Sequence, residues 1–229
     1  MALRLLQVQW LNQTLLHWSF PPSEVQRLLP DGLVVDERDG RAWVSLTPFV
    51  MAHVRPAGVP ATPLSRLASF PETNLRTYVR AADGREGLWF LTIEAANPTT
   101  LVARMAVGVP YHWADLSVTS HGSTVRYAGS RRGGGPSYRL TVRPGGEIES
   151  SDLDVWLTSR WRAYTRRMGI VWEVPVKHEP WALSSATLDD LQQTLLAAVG
   201  LPAPTGKPLV HYSAAVHHVS IGVPRPRPT

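Results

Sequence analysis

The chain has 229 residues, 44% hydrophobic and 18% charged, enough apolar material for one sizeable core without covalent or metal staples. It contains no cysteine, which excludes disulfides and thiolate metal ligands. The formal charge of +5 comes from 23 basic residues against 18 acidic ones, but the arginines are scattered, Lys177 and Lys207 are the only lysines, and no basic stripe for nucleic acid is visible.

The apolar runs are broken by His, Arg or Pro well short of the ~20 residues that a membrane helix needs. Gln7, Gln9, Asn12 and Gln13 interrupt the stretch Met1 to Phe20, and no small-residue cleavage site follows, so it does not read as a signal peptide. These features predict a soluble, cytoplasmic protein with no membrane partner, folded as a single domain over residues 1–229.

In chain order, Thr14–Phe20 reads as a short strand. Ser23–Leu29 reads as a helix, with Ser23 as N-cap, Gln26 three residues on, and Pro30 and Gly32 as stops. Ala42–Val54, Leu75–Arg80 and Leu88–Ile93 carry strand signals. Thr99–Ala106 is predicted helical, following Pro98 and ending near Gly108. Val118–Tyr127 and Ser137–Val142 are predicted strands flanking the Gly-rich segment Arg131-Arg132-Gly133-Gly134-Gly135-Pro136. That segment lacks the Gly-Lys-Ser/Thr ending of a phosphate loop and reads as a hairpin connection. Leu153, Trp156, Leu157 and Trp161 at helical spacing predict a helix over Asp152–Tyr164. Ile170–Val176 reads as a strand, Leu188–Val199 as an amphipathic helix ending at Gly200, and Val210–Ile221 as a half-buried strand. The tail Pro224-Arg225-Pro226-Arg227-Pro228 reads as a frayed, extended end. Many strands at short spacing with few helices predict a β-rich α+β domain built on a curved sheet or barrel.

Motifs with built-in chemistry are scarce. The eight histidines include no His-Glu-x-x-His or His-x-His pattern, so no metal site is expected. There is no Gly-x-Ser-x-Gly elbow. Asp152 and Asp154 read as first-turn residues favoured by the helix dipole. The nine tryptophans read as core, with some available to line an apolar pocket.

A set of ordered phrases carries more. They are Leu28-Leu29-Pro30-Asp31-Gly32-Leu33, Asp39-Gly40-Arg41-Ala42-Trp43-Val44, Ser69-Phe70-Pro71-Glu72-Thr73-Asn74-Leu75-Arg76-Thr77-Tyr78-Val79, Val109-Pro110-Tyr111, Lys177-His178-Glu179-Pro180-Trp181 and His211-Tyr212-Ser213. In this order the chain resembles the YqjF-like family, a bacterial domain of unknown function. More distantly it is similar to acetoacetate decarboxylase. Those enzymes carry an Arg, five residues, a Pro and two adjacent lysines, where this chain reads Arg104, five residues, Pro110, Tyr111 and His112. The resemblance implies a bent antiparallel sheet closing into a cone or barrel, with an interior pocket and a few peripheral helices. It also implies the loss of the Schiff-base lysine, so imine-based decarboxylation is not expected.

The residues that the resemblance and the strand pattern bring forward are Glu72, Tyr111 and His112 for acid–base work, and Arg76, Arg104 and Asn74 for ligand binding. Alternatives stand beside each. Glu72 can instead pair with Arg76 or Arg104, and Arg76 and Arg104 can serve as partners of Glu72 or Glu94. Strand alternation lets only one of Tyr111 and His112 face a pocket. The expected ligand is a small organic acid of keto or hydroxy type, with no cofactor. The expected protein is either an imine-free enzyme or a non-catalytic carrier or sensor, and homo-oligomers are known among the related decarboxylases.

Overall fold

The computed structural model describes residues 3–60 and 68–227. Thirteen strands are present among them: β1 (Arg4–Phe20), β2 (Leu33–Val35), β3 (Ala42–Pro56), β4 (Phe70–Ala81), β5 (Glu86–Ala95), β6 (Tyr111–His121), β7 (Thr124–Arg131), β8 (Ser137–Glu147), β9 (Arg162–Arg167), β10 (Ile170–Lys177), β11 (Ser184–Gln193), β12 (Leu209–Gly222) and β13 (Arg225–Pro226). Four short helices decorate them: α1 (Pro22–Gln26), α2 (Thr100–Val107), α3 (Asp152–Thr158) and α4 (Leu195–Ala198).

All the strands belong to one sheet, and the sheet closes on itself twice. Pairing runs β5-β6-β7-β8-β11-β12-β1-β3-β4, and β4 then pairs back onto β5, which makes a ring of nine strands. A second path leaves β5 through β9 and β10 and rejoins at β12, so β5, β9, β10, β12, β1, β3 and β4 form a ring of seven. The nine-strand ring is filled by the main hydrophobic core, including Leu16, Trp18, Val44, Leu46, Leu75, Tyr127, Leu140 and Val142. Parts of the strands common to both rings are covered on both faces. Residues Glu72–Val79 of β4 and Gln13–Trp18 of β1 are all buried, so polar side chains on these strands are buried with the apolar ones.

Several predicted elements differ from the observed ones. The predicted strand Val118–Tyr127 is the tip of a hairpin, where Gly122 at φ 57° turns β6 into β7 across a Gly-Ser corner. The predicted helix over Asp152–Tyr164 stops at Thr158, and Arg162 onward pairs with β10 and β5 as β9. Residues 184–193 form strand β11, and only Leu195–Ala198 of the predicted Leu188–Val199 helix is helical. A bulge explains that misreading. Leu188 pairs with Val142 and Asp190 with Thr141, leaving Asp189 as an extra residue. The alternation therefore slips by one, and Leu188 and Leu191 face the same side at a spacing that mimics a helix. At α1 the N-cap position is Pro21, without a side-chain cap, and the Gln26 side chain bridges Leu33 O and Val35 N instead. The tail is docked rather than frayed: β13 pairs with β10, the Arg227 amide donates to Val171 O at 2.8 Å, and the Arg227 guanidinium pairs with Glu173. No described helix is long and apolar enough to cross a membrane.

Candidate functional site

The seven-strand ring encloses a cavity of about 140 Å³, to which each of its strands contributes lining. At about 30 Å³ per water, this is the volume of roughly five water molecules. One wall is apolar and aromatic, from Trp10, Phe49, Leu88, Phe90, Val174 and Trp181. The polar wall comes from β4, where Glu72, Asn74 and Arg76 alternate with core residues and so share one face.

Glu72 is 3% exposed, and its Oε2 accepts a hydrogen bond from the Tyr111 hydroxyl at 3.4 Å. Burial pushes its pKa up to about 8, against the opposing hydrogen bonds from Tyr111 and Asn74, so the carboxyl is protonated at neutral pH. Burial and the neighbouring Glu72 hold the Tyr111 hydroxyl well above the ordinary phenol range. Arg76 is 6% exposed, its Nε has no hydrogen-bond partner, and no carboxylate pairs with it among the described residues. Burial lowers its pKa, but a guanidinium stays charged in a protein. Asn74 Oδ1 and Gln13 Oε1 are also buried without partners. The cavity thus has a neutral acid, a positive charge without a counter-ion, and polar atoms free to bond.

His112 and Arg104 lie elsewhere. Tyr111 and His112 are neighbours on β6, so when Tyr111 faces the cavity His112 faces an outer groove beside Arg131. Arg104 is exposed on α2, donates to Tyr111 O at 3.0 Å and lies 3.3 Å from His112 Nδ1. It ties down the start of β6 from outside. Glu94, the other candidate partner of the arginines, is held by Arg131 at 2.5 Å. Lys177 and Lys207 are exposed, and neither lines the cavity.

Four further cavity residues were not among the site candidates. Gln13 read as an interruption of an apolar run. Arg160 follows α3 and holds Asp36 at 2.9 Å and Glu86 at 2.7 Å, with its guanidinium over the Trp156 ring at 4.5 Å. Trp10 and His178 belong to an aromatic cluster. The His178 ring stacks on Trp161 at 4.6 Å and lies 5.5 Å from Trp10 and 5.2 Å from Trp181, and its Nδ1 donates to Glu179 O at 2.6 Å. Burial holds His178 below the ordinary imidazole range.

Next to the cavity runs a buried chain of polar groups whose proton positions follow from its end. The Tyr78 hydroxyl donates to Leu157 O at 2.7 Å, so it accepts from Ser45 Oγ at 2.7 Å, which in turn accepts from His17 Nδ1 at 2.6 Å. The His211 ring, 5.4 Å from that of His17, donates through Nε2 to Asp154 at 2.9 Å. Burial depresses both imidazoles, so both are neutral at pH 7.

Residues 7–217 match DUF2071, a family described as an uncharacterized conserved protein. The chain belongs to that family. Within the DUF2071 family it is similar to the uncharacterized protein YqjF of Bacillus subtilis strain 168, at 31% identity over 209 residues, covering 89% of this chain and 85% of the relative. Solved structures share its fold at low identity. An acetoacetate decarboxylase-like enzyme from Sphingomonas wittichii RW1 aligns with a TM-score of 0.67 at 16% identity, covering 98% of this chain and 93% of that one. Acetoacetate decarboxylase from Legionella pneumophila aligns with a TM-score of 0.67 at 11% identity, covering 99% and 88%. The enduracididine biosynthesis enzyme MppR, in complex with pyruvate, aligns with a TM-score of 0.65 at 12% identity, covering 99% and 91%. The DUF2071 chain therefore has the acetoacetate decarboxylase-like fold, and its cavity lining contains no lysine.

Proposed function

We propose that the interior cavity binds a small organic acid of keto or hydroxy type, with its carboxylate on Arg76 and its second oxygen near Glu72 and Tyr111. The observation that carries this reading is the buried Arg76 guanidinium without a carboxylate partner, facing a chamber whose opposite wall is apolar and aromatic. A buried charge is expensive unless paired, and a bound carboxylate completes the pair bidentately. Asn74 Oδ1 and Gln13 Oε1 can accept from a ligand hydroxyl, as a hydroxy acid would supply. That MppR, a protein of this fold, is found in complex with pyruvate supports an acid of this size.

Protonated Glu72 can donate a proton to a ligand oxygen and recover it as the carboxylate, which is the chemistry of hydration, dehydration or tautomerisation without an imine. The same neutral Glu72 equally favours a carrier or sensor, since at neutral pH it acts as a hydrogen-bond donor rather than a base. Turnover separates the two. Thermal-shift screening and calorimetry with small keto and hydroxy acids test the reading. Arg76→Met is expected to weaken binding about 10-fold to 150-fold, the 1.5–3 kcal/mol of a hydrogen bond to a charged group. Unchanged affinity in that variant would place the acid elsewhere.

A further inference from the structure

His178 is a wall of the cavity and also of a surface cleft of about 380 Å³. The strand ends that carry the cavity also carry the cleft, on alternate residues. Val176 and Ile221 line the cavity, while Lys177 and Ser220, which pair across β10 and β12, line the cleft. Across this partition stand Trp10 and Trp181, which line the cavity and stack on each other with centroids 5.6 Å apart, and the partly exposed Trp161.

The cleft is basic. Arg4, Arg55 and Lys177 line it together with the exposed His217 and His218. Its one carboxylate, Glu179, is engaged: it accepts from the His217 amide at 2.5 Å and lies 3.9 Å from His218 Nε2. Elsewhere Arg80, Arg85, Arg131, Arg160 and Arg227 each hold a carboxylate. No ion pair engages Arg4, Arg55 or Lys177 among the described residues, and residues 61–67 contain no acidic side chain that could supply one. Three positive charges without a carboxylate partner therefore line a recess that adjoins a chamber holding a fourth such charge, Arg76.

We propose that cleft and cavity form one elongated site for a small carboxylic acid that also carries a phosphate-type group. The phosphate-type end lies among Arg4, Arg55 and Lys177, the chain passes His178 along the tryptophan faces, and the carboxylate reaches Arg76. This deepens, and rests on, the reading of the cavity as an acid site. A dianion suits a cluster of three cations, with arginine binding in fork geometry and lysine as a point charge. Flat aromatic faces suit a short hydrocarbon segment between the two ends.

The test is calorimetry on the intact chain with inorganic phosphate, butyrate, and ω-phosphonoalkanoic acids of increasing length. A bridging ligand gains effective concentration, so one chain length is expected to bind at least about 100-fold tighter than phosphate or butyrate alone. The pair Arg55→Ala/Lys177→Ala should abolish phosphate binding and spare butyrate, Arg76→Met should do the reverse, and either should erase the length optimum. Affinity that is flat with chain length, or phosphate binding that survives Arg55→Ala/Lys177→Ala, overturns the proposal. Loss of the inner half and loss of the outer half look different. Phosphate binding without butyrate binding overturns the joined site by removing the acid reading of the cavity. Butyrate binding without phosphate binding overturns the joined site and leaves the acid reading standing.

Discussion

Glu72 and Arg76 share one face of β4, and burial disfavours the charged form of each, yet only the carboxyl can escape by taking up a proton. The unfolded carboxyl titrates near 4.5 and the folded one near 8. Folded-state stability from this group is fully present below pH 4.5 and is lost as pH rises to 8, because the unfolded chain releases a proton that the folded chain retains. At 1.36 kcal/mol per pH unit, the loss saturates at no more than about 5 kcal/mol. Glu72→Gln, neutral at every pH, is therefore expected to flatten the decline of melting temperature between pH 5 and pH 8. Parallel curves for the two proteins would mean that Glu72 ionises freely in the fold. Arg76 keeps its charge at a standing cost. Arg76→Met is expected to raise the stability of the ligand-free protein by about 1–4 kcal/mol, the range seen when buried charges give way to apolar side chains. A lower melting temperature would reveal a structural partner for the guanidinium.

At the scale of elements, the predicted strands hold where apolar and aromatic residues run densely, as over Ala42–Val54 and Leu88–Ile93, both of which lie inside observed strands. They fail where a bulge or corner shifts the phase. Asp189 in β11 is the plainest case, and Gly122 between β6 and β7 another. Glu72, Asn74 and Arg76 were legible together because they lie on one strand at a period of two. Tyr111 and His112 were legible only as a pair, since alternation fixes that they diverge and not which one turns inward. The turn before them sets that choice. Gly108 ends α2 at φ 76°, and a Cβ there would lie 2.1 Å from the Arg166 carbonyl oxygen on β9. Gly108→Ala is expected to destabilise the fold by about 1–3 kcal/mol from backbone strain alone, plus the shift that the clash forces. Denaturant unfolding measures it. A change below about 0.5 kcal/mol would mean that the α2–β9 contact yields easily.

At the scale of the molecule, the barrel class was legible from strand density and from the ordered family phrases, but most of the lining of its interior pocket was not. Trp10 and Gln13 lie on β1, Arg160 in the loop after α3 and His178 just after β10, and only the second closure of the sheet brings them beside β4. No local pattern records a meeting between residues so far apart. The same closure leaves both lysines outside. Treatment with acetoacetate and borohydride is therefore expected to leave the intact mass unchanged, while an adduct on Lys177 or Lys207 would restore imine chemistry. The double closure also has a consequence for how the protein comes into being. Both rings need β12, which begins at Leu209, to meet β1, which begins at Arg4. A ribosome adding about 5–20 residues per second needs roughly 10–40 s to reach β12. Throughout that interval the side of β1 that will meet β12 is an open edge. The chamber therefore closes, and β1 loses its exposed edge, in the same late event.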